Sequence, residues 1–249
     1  MSTPQPAAAP RSGLANIVDI IIAPNAAFER LRQVPVWGWA FLVAVLLGIA
    51  GTIVAGPAIQ HAMETSMPAT LAASDSIAKL PADQQQKQIA AIMSFSRILA
   101  KFYWVFIPPG LLIAGLIQAL IMLIANAATR GDGSFKKFFA LSITVSVVGT
   151  GLASIVLGVI VTLRGANAFE TTTAVQSAVP SLALLAPGAK GALAGFLGAL
   201  NVFVLWATAL IALGMARVGR IPVGAAWATA IIMVLVTASF AAYGARNGG

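Results

Sequence analysis

The chain has 249 residues, of which 59% are hydrophobic and 9% charged, and its mean hydropathy is +0.92. A soluble domain carries about a quarter of its residues as charged groups, so this composition excludes an ordinary water-soluble fold and defines a polytopic membrane domain. The formal charge of +8 calls for no nucleic-acid partner, because Lys and Arg beside anionic headgroups account for it. Cysteine is absent and His61 is the single histidine, so no disulfide, thiolate site, histidine metal cluster or cofactor is expected.

Residues 1–13 are rich in Ala and Pro and read as a disordered tail, without the basic region and apolar core of a cleavable signal. The segment 14–23 is apolar, but it holds Asp19, is too short to span, and stops at Pro24; it reads as an interfacial helix. Five stretches then lack any Asp, Glu, Lys, Arg or His: 36–57, 102–129, 138–163, 191–216 and 221–245. Each meets the requirement of about 20 apolar residues for a membrane span, and 246–249 is left as a short tail. The expected fold is all-α, with one membrane domain over 14–245. It is a polytopic integral membrane protein with a five-transmembrane-helix bundle, an interfacial N-terminal helix and an amphipathic external helix.

The external helix falls in the loop 61–101, where the charges cluster. Pro81 suits a first helical position, and Ile89, Ile92, Met93, Leu99, Phe102 and Phe106 recur at helical spacing. Lys87, Arg97 and Lys101 then face water, and the helix runs into the second span until Pro108-Pro109 kinks it. The segment 171–189 is uncharged but contains Thr171, Thr172, Thr173, Gln176, Pro180 and Pro187; it reads as an external, partly re-entrant loop rather than a sixth span.

Short loops rich in Lys and Arg face the cytosol. Arg11, Arg30 and Arg32 precede the first span, Arg130, Lys136 and Lys137 join the second to the third, and Arg217 and Arg220 join the fourth to the fifth. With these on one side the N-terminus is cytosolic and the C-terminus lies outside. Aromatic residues suit the interfaces: Trp37, Trp39, Phe102, Tyr103, Trp104, Phe135, Phe138, Phe139, Trp227 and Tyr243 lie near expected span ends, whereas Trp206 is mid-span and reads as packing. Small residues permit close helix approach in lipid. They are spaced for it at Gly48 and Gly51, at Gly149, Gly151 and Gly158, and at Gly191, Ala194, Gly195 and Gly198.

No ionisable residue lies within a span, which disfavours proton-coupled transport. No phosphate loop, zinc-binding His pair or nucleophile elbow occurs, so no catalytic residue is assigned and an enzyme is not expected. The intramembrane polar candidates are uncharged: Ser142, Ser146, Thr150, Gln118, Asn126 and Asn201. Ser142, Ser146 and Thr150 recur every four residues and so share a helical face. They either line a polar groove or hydrogen-bond within and between helices.

The candidate cytosolic interaction loop is Arg130, Gly131, Asp132, Gly133, Lys136 and Lys137. Its glycines permit a tight turn with positive φ, Ser134 can cap the next helix, and its cations can reach lipid headgroups or a protein partner.

Three segments together resemble the Yip (Ypt/Rab-interacting protein) domain family. Pro24, Ala27, Phe28 and Leu31 match its P-x-x-A-F-x-x-L pattern before the first span. Gly131 to Phe135 is similar to its loop between spans two and three. Asn201 to Arg220, with Leu205-Trp206 and Gly214-Met215-Ala216-Arg217-Val218, resembles its last two spans. The resemblance implies a five-helix membrane domain with a cytosolic N-terminus. Eukaryotic members of the family are associated with Rab GTPases and vesicle traffic. This chain lacks their Asp-Leu-Tyr-Gly-Pro segment, so Rab binding is carried to no residue, and the chain reads as a bacterial-type member of the cytoplasmic (inner) membrane.

The expected function is a non-enzymatic scaffold that binds membrane lipids and other membrane proteins, with its oligomeric state open. The alternatives are a transporter or channel for a neutral or amphiphilic solute, and an accessory subunit of a larger membrane complex. A solute pathway predicts a polar cavity near the midplane between spans two, three and four. A scaffold predicts a closed bundle packed through small residues.

Overall fold

A computed structural model describes residues 13–247. The expected tail therefore lies outside the described residues up to position 12. Two short helices open the described chain, α1 (Gly13–Ile22) and α2 (Pro24–Gln33). Pro24 stands at the start of α2, where its missing N–H costs no intrahelical bond.

Helix α3 (Gly38–Ala72) is continuous for 35 residues. At about 1.5 Å per residue it is about 50 Å long, well beyond a hydrocarbon core of about 30 Å. The uncharged run ends at Pro57 and predicts a loop from His61, and the structure corrects this. Absence of charge measures what lipid accepts, not where the helix stops, and Pro57 and Pro68 are both accommodated within α3. After the single turn α4 (Asp75–Ala78), helix α5 (Ala82–Phe102) folds back along the extension of α3. Pro81 stands one position earlier than expected, as the N-cap. Met93 is buried in this hairpin, and Arg97 meets Glu64 at 3.2 Å. That pair is exposed and contributes less than about 1 kcal/mol.

A 3₁₀ turn at Tyr103–Phe106 links α5 to α6 (Ile107–Ala128). Pro108 and Pro109 thus lie in the first turn of a new helix instead of kinking an old one. Next come α7 (Phe135–Ser146), a π-helical turn (Val147–Leu152) and α8 (Ala153–Arg164), which together form one membrane-length rod. All eight residues from Phe138 to Val145 are buried, so α7 is the centre of the bundle, enclosed by α2, α3, α6 and α11. Phe138 and Phe139 accordingly pack in the core and not at the interface, where their place near a span end predicts them. Trp37 meets Phe139 edge-on at 5.3 Å between centroids.

The segment 171–189 holds only α9 (Thr172–Gln176) and a 3₁₀ turn (Leu182–Leu185), both too short to span. Phe169 and Val175 pack against Ala55, Ala58 and Ala62 of α3, and the Arg164 guanidinium lies 4.9 Å over the Phe169 ring.

The expected fourth span is broken into α10 (Gly191–Ala199) and α11 (Val202–Val218). At the break the Asn201 side chain accepts from the N–H groups of Phe203 and Val204, both at 3.0 Å. The backbone bridges to the preceding loop, with Leu182 N–H to Leu200 O at 3.2 Å and Val202 N–H to Pro180 O at 3.0 Å. Broken backbone in a bilayer requires such partners. Helix α12 (Val223–Asn247) closes the fold and absorbs the first two residues of the expected C-terminal tail. Four helical runs among the described residues are long and apolar enough to cross a membrane: Gly38–Ala72, Ala82–Ala128, Phe135–Arg164 and Val223–Ala245.

Close packing follows the small residues. A Cβ on Gly51 would lie 2.3 Å from the Ser154 carbonyl, and one on Gly195 would lie 2.5 Å from the Ala245 Cβ. By contrast, Gly198 has open space around it, and Gly191 serves a positive φ of 52° at the start of α10.

Candidate functional site

Two polar sites emerge, and the sequence candidates divide between them. The first is the end of the bundle where the α6–α7 and α11–α12 turns meet. Asn126, in the last turn of α6, is buried and clamps the 131–133 backbone. Its Nδ2 donates to Gly131 O at 3.2 Å and to Gly133 O at 3.4 Å, and its Oδ1 accepts from Gly133 N–H at 3.0 Å. Asp132 N–H donates to Gly219 O at 2.9 Å, and the Asp132 carboxylate meets Arg220 at 3.4 Å. The two turns are therefore one unit.

Positive φ in this unit falls on Arg130 (54°) and Arg220 (50°), each just past a helix end, and not on the loop glycines. The glycines serve close approach instead. A Cβ on Gly131 would lie 2.3 Å from Asn126 Oδ1, and one on Gly133 would lie 2.2 Å from the Phe138 ring. Ser134 caps α7 by accepting from Lys137 N–H at 3.4 Å. Arg130, Lys136, Arg217 and Arg220 remain exposed around the unit. Of the candidate loop residues, Arg130, Asp132, Lys136 and Lys137 present chemistry, and Gly131 and Gly133 form the support.

Helices α1 and α2 brace the same end, with α2 packed on α7 and α11. Ala27, Phe28 and Leu31 are fully buried. The Arg30 guanidinium donates to Asn16 Oδ1 at 2.5 Å and forms an ion pair with Asp19. Arg30→Ala leaves the half-buried Asp19 without its partner, and a loss of about 2 kcal/mol in unfolding free energy is expected. Denaturant unfolding in detergent checks this. Arg30→Lys should retain only part of that stability, since an ammonium cannot bond Asn16 and Asp19 with one planar fork.

The second site is an open cleft between α6 and α7, with a volume of about 260 Å³. Gln118, Ser142, Ser146 and Thr150 supply its polar groups, Gly110, Ala114, Gly115 and Ile143 line its walls, and Tyr103 and Phe106 stand at the rim. Ser142 donates to the side-chain Oε1 of Gln118, and Ser146 donates its hydroxyl to Ile143 O at 2.7 Å. Ser142, Ser146 and Thr150, set on one face by their four-residue spacing, line this cleft together with Gln118. Asn126 and Asn201 do not belong to it, because one is the turn clamp and the other a helix cap. An Asn within an apolar run is a helix-start signal, and that signal marks the Asn201 break. The π-helical turn that carries Thr150 has no comparable mark in the sequence.

Apolar helical rods of membrane length, an enclosed central helix and a helix break bridged by backbone hydrogen bonds define an α-helical integral membrane protein. The Yip1 domain model matches residues 18–244, and the chain belongs to that family. It is also 28% identical over 229 residues to the "Membrane protein YknW" of Bacillus subtilis (strain 168), an alignment covering 92% of this chain and 89% of the relative. No solved structure matches it significantly. The chain is accordingly an integral membrane protein of bacterial type.

Proposed function

We propose that the protein is a non-enzymatic scaffold of the bacterial cytoplasmic membrane whose docking face is the joined pair of basic turns. In this reading α10 and α11 count together as one crossing beside α12, giving five crossings, a cytosolic N-terminus and a periplasmic C-terminus. The observation that carries it is the coupling of Asn126, Asp132 and Gly219, which makes one preformed surface from two loops that a simple membrane turn would leave separate. Preorganisation of this kind lowers the ordering cost of binding. The exposed cations Arg130, Lys136, Arg217 and Arg220 suit anionic headgroups or an acidic partner segment.

The cleft argues against a solute pathway. It stops at the Gln118–Ser142 hydrogen bond, and beyond it Ala119, Met122 and Phe139 are buried. No part of its lining comes from α11, as a pathway between spans two, three and four requires.

Crosslinking in native membranes followed by mass spectrometry tests the scaffold. Discrete partner or anionic-lipid adducts are expected at Lys136 and Lys137, and paired Lys136→Glu and Lys137→Glu substitutions should remove them while the protein still inserts. Recovery of no partner and no enriched lipid from the wild-type chain would count against the reading. A fixed-stoichiometry complex would instead mark an accessory subunit.

A further inference from the structure

We propose that the α6–α7 cleft is a lateral binding site for the head of an uncharged, hydroxyl- and ester-bearing lipid of the diacylglycerol type, whose chains stay in the bilayer. Charge sets the class. None of the residues that line the walls and floor of the cleft carries a charge, and a charged headgroup at this depth would be costly without a counter-charge. Gln118 lies ten residues from the α6 terminus at Ala128, about 15 Å along the helix and so about halfway across a core of about 30 Å.

Hydrogen bonding sets the head. The side-chain Oε1 of Gln118 is engaged by Ser142, while the side-chain amide nitrogen and the Thr150 hydroxyl bond to no other described residue. An unpaired amide in hydrocarbon costs several kcal/mol, so a ligand with ester acceptors and a hydroxyl completes the site. Size sets the extent of burial. Sites that engulf a drug-sized ligand have volumes of about 300–1,000 Å³, whereas this cleft of about 260 Å³ takes a glycerol head with its ester groups but not its chains. The lining residues Gly110 and Ala114, between the rim at Tyr103 and Phe106 and the polar group of Gln118, are exposed and let those chains leave sideways. The π-helical turn is of a kind that recurs at functional sites. This inference is independent of the scaffold reading, since it uses none of the basic turns.

The full chain in phosphatidylcholine–phosphatidylglycerol vesicles is labelled with a photoactivatable diacylglycerol, and separately with a phosphatidylglycerol bearing the same photoreactive group. The expected result is diacylglycerol labelling concentrated on peptides within 103–150, competed by unlabelled diacylglycerol. Removal of one hydrogen bond in Gln118→Leu or Thr150→Val should lower it about fivefold, and Ala114→Trp should abolish it by filling the cleft. Thr150 is exposed, so Thr150→Val decides the matter if Gln118→Leu does not fold. Uniform labelling of all helices, stronger cleft labelling by phosphatidylglycerol, or indifference to both Thr150→Val and Ala114→Trp would overturn the proposal.

Discussion

Gly51→Leu is expected to separate α3 from α8 and to yield a protein that unfolds at markedly lower temperature or fails to insert as a monodisperse species. The reason is steric and local. A Cβ on Gly51 would lie 2.3 Å from both the carbonyl carbon and oxygen of Ser154, backbone atoms that no rotamer change can move aside. Overpacking of a well-packed core costs about 1–3 kcal/mol and occasionally more, and a clash with backbone belongs at the upper end. In lipid the penalty is compounded, because close approach is itself the source of helix association. The neighbouring Gly158 depends on the same approach, since its Cβ would already stand 3.2 Å from Val54. Thermal unfolding in detergent measures the effect, with Gly56→Leu as the control on the same helix, where nothing lies within 4 Å. Equal melting of the two variants would remove the α3–α8 contact from the account.

Asn126→Leu is expected to loosen the α6–α7 turn and, with it, the Asp132 bond that ties this turn to the α11–α12 turn. The substitution preserves volume but deletes three hydrogen bonds, to Gly131 O, Gly133 O and Gly133 N–H. Each buried group left without a partner costs about 1–3 kcal/mol. Water at the end of the bundle relieves part of this, so a net loss of about 2–4 kcal/mol is expected. Limited trypsin digestion reports the loosening. Arg130 and Lys136 are exposed but held in a fixed turn in the parent protein, and cleavage there should accelerate in Asn126→Leu. Asn126→Asp keeps the acceptor for Gly133 N–H and loses the two donated bonds, so it should fall between parent and Asn126→Leu.

These two sites differ in how far they can be read from the sequence. The uncharged runs locate α6, the α7–α8 rod and α12 because lipid compatibility and helix length coincide there. They coincide less well at α3, where His61 and Glu64 belong to the same helix as the uncharged run, and at Asn201, where an uncharged run continues across a capped break. The four-residue spacing of Ser142, Ser146 and Thr150 places them together on one cleft, since helical periodicity is a local property. The joining of the two turns is not legible, because it rests on the bond from Asp132 N–H to Gly219 O and on the Asp132–Arg220 ion pair, which no local pattern marks. Gly131 and Gly133 stand out in the sequence, but for turn geometry. Their role is to admit Asn126, Gly219 and Phe138, and the left-handed backbone falls on Arg130 and Arg220. Phe138 and Phe139 escape a sequence reading because a residue near a span end can equally face the lipid headgroups or the bundle axis, which only packing decides.

The central claim is that both basic turns form one docking surface on the cytosolic side, opposite the α3–α5 hairpin. The parent chain has no cysteine, so single cysteines report sidedness without background. Ser76→Cys in the hairpin turn, Lys136→Cys and Arg217→Cys are each labelled with a membrane-impermeant maleimide in intact spheroplasts and again after permeabilisation. The account predicts labelling of Ser76→Cys in intact spheroplasts and protection of Lys136→Cys and Arg217→Cys until the membrane is opened. Labelling of Lys136→Cys and Arg217→Cys on opposite sides, or of both from outside, would contradict it.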